Sequence, residues 1–285
     1  MPPVIGRAYV GISGWRYKPW RGTFYPKGLA QRRELEYAAS RLSSIEINGS
    51  FYALQRPESY QRWHAETPGE FVFSVKGGRF ITNMKKLRDV DIPLANFFGS
   101  GVLALADKLG PLLWQLPPNL GYDPDRLSEF FNLLPRTTTE AAALAQRHDE
   151  RLADRSWTTT DEERPLRHAV EVRHESYRAA EFLPLLREHD IAIVVADTAG
   201  KWPLLETVTS DFAYVRLHGD EELYVSGYSD VALDRWTGLI HGWRSGEATA
   251  DGRPRDVYVY FDNDVKVHAP YNAIDLAKRL DALAG

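Results

Sequence analysis

Cysteine is absent from the 285-residue chain. Disulfides, thiolate-held metals, iron–sulfur clusters and a cysteine nucleophile are therefore excluded. Long apolar runs are missing too. No stretch approaches the roughly 18 residues of a membrane span, so no membrane partner is expected. The opening Met1-Pro2-Pro3-Val4-Ile5-Gly6-Arg7 lacks the apolar run of a signal peptide, which makes the cytoplasm the expected location. Neither a P-loop, a Gly-x-Ser-x-Gly elbow nor a His-Glu-x-x-His helix occurs, and no cofactor is implied. The nearest thing to a backbone-amide phosphate cradle is Gly77-Gly78. A net charge of −4 argues against coating nucleic acid by bulk positive charge, but not against a local basic patch.

What is present is a length and pattern suited to one α/β barrel, a fold that needs about 250 residues in a single domain. Hydrophobic residues make up 44% and charged residues 26%, an ordinary balance for a globular chain with a large core. Short runs rich in Val, Ile, Phe and Tyr alternate with helical patterns, the signature of βα units around a parallel sheet. Strands are predicted at Tyr9–Ser13, Ser44–Asn48, Phe71–Lys76, Leu112–Gln115, Ala169–Arg173, Ile191–Asp197, Phe212–His218 and Val257–Asp262. Eight strands predict a single-domain (β/α)8 barrel of the TIM type spanning residues 1–285. Asp123-Pro124, Asp230 and Asn272 each precede a helical pattern and offer caps. Residues 200–209 leave room for at most a short helix. Residues 137–167, rich in charge and Ala, read as a helical and loop insertion before the fifth strand.

Side chains on a strand alternate between faces, and in a barrel one face meets the helices while the other points inward. Ile45 and Ile47, Val170 and Val172, and Val215 and Leu217 suit the helix side. That turns Glu46 and Asn48, Glu171 and Arg173, and Arg216 and His218 inward. The same parity sends Lys76, Gln115, Asp197 and Asp262 inward, all near the C-terminal strand ends where barrel enzymes build their sites. Buried charges must be paired, hydrated or in contact with a ligand. Two readings follow: a self-neutralising plug of ion pairs, or a ligand site.

Basic and aromatic residues crowd the same end. The first 33 residues hold seven Lys or Arg and no acid. The loop after the first strand interleaves Trp15, Arg16, Tyr17, Lys18, Trp20, Arg21, Phe24 and Tyr25. The segment after the third strand adds Lys76, Arg79, Lys85, Lys86 and Arg88. Such interleaving suits a phosphorylated or nucleotide-like ligand, through stacking and charge attraction. Alternatively the aromatics pack the first loop down and the bases are simply solvated. Glu46, Glu171, Asp197, Asp262 and His218 supply metal-type ligands, but Lys76, Arg173 and Arg216 oppose a cation, so no metal is expected.

These residues fall into blocks that resemble the DUF72, or YecE-like, family of uncharacterised barrel proteins. The blocks run from Gly11-Ile12-Ser13-Gly14-Trp15, with Trp20 and Phe24-Tyr25-Pro26, to Glu46-Ile47-Asn48 with Phe51-Tyr52. They continue through Phe73-Ser74-Val75-Lys76, Gln115-Leu116-Pro117-Pro118 and Glu171-Val172-Arg173-His174. Tyr214-Val215-Arg216-Leu217-His218-Gly219 and Tyr260-Phe261-Asp262-Asn263-Asp264, followed by Asn272-Ala273, complete them. The resemblance implies a TIM-type barrel and supplies no reaction. Gly49-Ser50, Asn83 and Asp262 depart from a pattern that usually has Ser-Thr, His and Asn.

Three functional expectations follow. The first is a hydrolase or lyase acting on a small anionic, phosphorylated or nucleotide-like ligand, or on nucleic acid. Glu46 or Glu171 would be the base, His218 an acid or charge stabiliser and Asp197 a further catalytic carboxylate. Arg173, Arg216 and Lys76 would clamp the anion, while Trp15, Arg16, Asn48, Tyr52, Gln115 and Asn263 complete the pocket. The second is glycoside hydrolysis by Glu46 and Glu171, with Trp15 or Tyr52 as a sugar platform. The third is a non-catalytic protein that holds an anion or a partner through its basic rim.

Overall fold

The computed structural model describes residues 5–283. Its strands are β1 (Ala8–Ser13), β2 (Ser44–Ile47), β3 (Val72–Lys76), β4 (Leu109–Gln115), β5 (His168–Glu171), β6 (Ala192–Asp197), β7 (Phe212–Leu217) and β8 (Asp256–Phe261). They form a closed parallel barrel in chain order, with β1 returning to pair with β8 through Ala8↔Val257 to Ile12↔Phe261. Eight parallel strands, with a helix in every crossover except that from β6 to β7, make the (β/α)8 architecture that the sequence pattern predicts.

The chain divides into two compact units, one comprising residues up to Glu46 together with those from Ala192 onward, the other Ile47–Ile191. The first carries β7, β8 and β1 as hydrogen-bonded neighbours, with β2 beside β1. Helices Asp230–Ser245 and His268–Ala282 bury Trp236, Ile240, Trp243, Leu276 and Leu280. In the second unit β3, β4 and β5 are neighbours. There Trp114 packs against Phe97 and Phe130.

Several predicted strand ends run long. Asn48, His218 and Asp262 lie one residue past the ends of their strands, and Arg173 two residues past. Two of them keep strand alternation because the ladder runs one bond further: His218 N–H donates to Asp197 O at 3.0 Å and Asp262 N–H to Leu217 O at 2.8 Å. Asn48 instead opens a short helical turn, Gly49–Tyr52.

The predicted helix caps fare unevenly. Asp123 caps Pro124–Leu133 as expected, accepting from Arg126 N–H at 3.1 Å. The helix Asp230–Ser245 is capped by Ser229, not Asp230, through Ala232 N–H at 3.2 Å. Asn272 is not a cap either. Its helix begins a turn earlier, at His268, and its Oδ1 accepts from Tyr228 N–H at 3.2 Å. Residues 198–211 contain no helix among the described residues. Within 137–167 the chain forms one helix, Thr138–Ala145, capped by Thr137, and a 3-10 turn, Glu150–Leu152.

Candidate functional site

In the first unit, alternation along β2, β7 and β8 builds a layered polar interior. Ser44 Oγ meets Tyr260 OH at 2.8 Å. Above them Glu46, fully buried, accepts from Tyr214 OH at 2.6 Å and from Arg216 Nε and Nη2 at 3.0 and 2.9 Å. Ser13 Oγ donates to the same carboxylate. A carboxylate offers about four lone-pair positions, and all are engaged. Burial beside Glu46 pushes the Tyr214 phenol well above its ordinary range, so it remains a donor.

Arg216 is equally committed. Besides Glu46 it donates to Asp262 Oδ2 at 2.9 Å and Ser13 Oγ at 3.0 Å, and Nη1 lies 3.3 Å from His218 Nε2. A guanidinium can only donate, so His218 Nε2 accepts. The His218 hydrogen then sits on Nδ1, which lies 3.0 Å from Asp262 Oδ2. Glu46 and Arg216, expected as base and anion clamp, thus face each other as a fully buried ion pair. All three guanidinium nitrogens of Arg216 are turned to neighbouring side chains.

The remaining residues of this unit are placed as follows. Asp197 Oδ2 accepts from Tyr228 OH at 3.1 Å, and burial pushes its carboxyl above the ordinary range. Asn263, expected to orient a ligand, spends its amide hydrogens on Ser226 O at 2.9 Å and Asn272 Oδ1 at 3.1 Å. Trp15 is 7% exposed and Trp20, Phe24 and Tyr25 are buried, so they pack the loop down and Trp15 is not an open platform. Arg16 is exposed, with its guanidinium 5.9 Å from the Trp15 ring. Tyr17 OH donates to Ser13 O at 2.5 Å. Burial, then the neighbouring Asp262 charge, raises Asp264 to about 6. Ser13, Tyr214, Tyr17 and Asp264 were not among the expected site residues. Parity alone could have flagged Ser13 and Tyr214, which share a face with predicted site residues.

In the second unit Lys76, Gln115 and Glu171 are the last residues of three adjacent strands, with Gln115 directly opposite Glu171. Glu171 is fully buried, and its Oε1 accepts from Gln115 Nε2 at 2.9 Å and Arg173 Nε at 2.6 Å. The Arg173 side chain keeps 12% of its surface exposed. Lys76 Nζ lies 4.3 Å from the Phe51 ring centre, Phe51 packs edge-on to Tyr52, and the Arg79 guanidinium lies 5.7 Å from the Tyr52 ring. Tyr52 itself is 66% exposed.

The Gly77-Gly78 pair is not an anion cradle at its first residue. Gly77 N–H donates to Leu113 O at 2.8 Å. A side chain at Gly77 would place its Cβ 2.3 Å from the Trp114 ring, so glycine is required by close packing. Among the described residues no group of three or more His, Asp or Glu could hold a metal ion. Among the same residues no helix is long and apolar enough to cross a membrane.

A closed parallel barrel of eight strands defines an α/β-barrel protein of the TIM type. The chain belongs to the family described as protein of unknown function DUF72, whose model matches residues 9–284. Among solved structures, a DUF72 family protein from Thermotoga maritima MSB8 is 25% identical, with a TM-score of 0.74 over 96% of this chain and 99% of that one. Two curated relatives are UPF0759 protein YunF of Bacillus subtilis, 29% identical over 39% of this chain, and UPF0759 protein YecE of Escherichia coli K12, 30% identical over 40%. The matched region spans about two fifths of each relative, 40% and 39% of their lengths. A D-psicose 3-epimerase from Clostridium cellulolyticum shares the fold at 11% identity and a TM-score of 0.50.

Proposed function

We propose that the strand ends of the second unit bind the anionic group, phosphate or carboxylate, of a small ligand, and that Glu171 is the candidate base of a hydrolase or lyase acting on it. One observation carries the reading: two cations, Lys76 and Arg173, share the ends of three neighbouring strands with a single carboxylate, Glu171. Strands lie about 4.8 Å apart, so β3 and β5 are separated by about 10 Å. Both long side chains can reach an anion seated over Gln115 between them. A guanidinium donating paired hydrogen bonds in a mostly buried setting is a strong anion partner.

Arg173 and Lys76 form the anion clamp, Gln115 orients, and Arg216 and Glu46 hold the fold. Glycoside hydrolysis by Glu46 and Glu171 loses support, since every lone pair of Glu46 is engaged and Trp15 is packed away. The epimerase likeness bears on the fold alone.

Thermal denaturation with inorganic phosphate and a panel of phosphorylated metabolites tests the proposal. Ligand at ten times its dissociation constant is expected to stabilise the native state by about 1.4 kcal/mol. Arg173→Ala and Lys76→Met are expected to abolish that gain. If both variants keep native circular dichroism and respond to phosphate as wild type does, the anion site is not there.

A further inference from the structure

Following β3, residues 76–88 carry Lys76, Arg79, Lys85, Lys86 and Arg88 and no acid. Among the described residues none of Arg79, Lys85, Lys86 and Arg88 is paired with a carboxylate. Beside these cations the surface presents large apolar side chains that folding leaves uncovered: Tyr52 at 66% exposure, Met84 at 67% and Phe80 at 37%. Each exposed ring carries a guanidinium, Arg79 at 5.7 Å from Tyr52 and Arg151 at 5.8 Å from Phe80.

The backbone is shaped to hold this arrangement. Phe80–Met84 forms a wide helical turn closed by Lys85 N–H to Phe80 O at 2.9 Å. Lys86, Leu87 and Asp89 then take left-handed conformations, with φ of 49°, 68° and 50°. Non-glycine residues resist that region, so the surrounding structure must enforce it. Buried Ile81, Leu87 and Val90 do so, and Leu87 N–H donates to Ile81 O at 3.0 Å. With those three side chains pinned inside, Met84, Lys85 and Arg88 are left facing solvent.

We infer that this segment, with Tyr52, is a binding surface for single-stranded nucleic acid whose path leads to the Lys76–Arg173 anion site. Arg79, Lys85, Lys86 and Arg88 meet the phosphates, and exposed rings backed by guanidinium groups offer faces on which unpaired bases stack. A duplex keeps its bases inside and offers the rings nothing. The contact chain Lys76–Phe51–Tyr52–Arg79 makes the surface continuous with the anion site. The inference rests on the anion-site reading only for the phosphate nearest Lys76.

Fluorescence anisotropy with a labelled 12-nucleotide single strand tests it, in parallel with the corresponding duplex. Inorganic polyphosphate and poly-glutamate serve as competitors. The single strand is expected to bind more tightly than the duplex and to resist both competitors at equal charge. Tyr52→Ala and Phe80→Ala are each expected to weaken binding roughly 5- to 150-fold, the range of one lost base stack. The triple variant Lys85→Ala, Lys86→Ala, Arg88→Ala should flatten the log–log salt slope by about 2. All these positions are solvent-accessible, and circular dichroism checks that the variants fold. Equal displacement by poly-glutamate or polyphosphate, or undiminished binding by both ring variants, overturns the inference in favour of a generic anion or acidic-protein surface. Phosphate stabilisation without strand binding also overturns it and leaves the anion site standing. Strand binding that survives Arg173→Ala while phosphate has no effect removes the anion site and leaves this surface.

Discussion

Glu46 and Arg216 illustrate how little a buried charge reveals until its partners are counted. Both are fully buried, and their bidentate contact is reinforced by Tyr214, Ser13 and Asp262. Removing one member of such a set strands the other without a counter-charge, typically at a cost of about 3–5 kcal/mol. Glu46→Gln and Arg216→Met are therefore expected to lower the unfolding free energy by amounts of that order, measured in urea. A different residue gives the pH response. Asp264, raised to about 6 by burial and by Asp262, binds a proton more readily folded than unfolded. Its contribution to stability is greatest below the ordinary Asp value near 4 and is lost as pH rises through about 6. Asp264→Asn is expected to be more stable than wild type at pH 7.5, with the difference vanishing near pH 4. Thermal unfolding across that range would show it, and a gap independent of pH would assign the titration elsewhere.

At the scale of single elements, strands were easier to read than helix starts. The run Phe212–His218 alternates so strictly that parity placed Arg216 and His218 on one face, and the network around Asp262 puts them there. What parity could not say is which inward charges neutralise one another, because that depends on neighbours from other strands. Helix starts depend on one dihedral and one hydrogen bond. Asp230 looked like a cap by composition, yet Ser229 beside it takes the extended conformation and reaches Ala232 N–H. Asn272 failed because a non-glycine residue, Val267 at φ 64°, starts its helix early, which no sequence rule anticipates. Ser229→Ala is accordingly expected to cost about 1 kcal/mol and Asp230→Ala much less, by urea titration. The aromatic loop Trp15–Tyr25 was ambiguous for a related reason: burial of its rings rests on distant Tyr37 and Tyr271.

Across the whole molecule the closed barrel was legible because eight apolar runs, each separated by enough chain for a crossover, admit few other solutions. The crossover from β6 to β7 is the one that dispenses with a helix. It is fastened at its ends, where Trp202 N–H meets Thr198 Oγ1 at 3.1 Å, Ile193 N–H donates to Thr209 Oγ1 at 2.8 Å and Arg255 Nε reaches Ser210 O at 2.9 Å. Between those fastenings the N–H groups of Leu204, Leu205 and Glu206 donate no hydrogen bond among the described residues. For the protein engineer that makes the junction of Leu204 and Leu205 a splice point. A reporter peptide or a small folded module inserted there would interrupt no ladder and uncap no helix, and the cysteine-free background would let one introduced thiol label it uniquely.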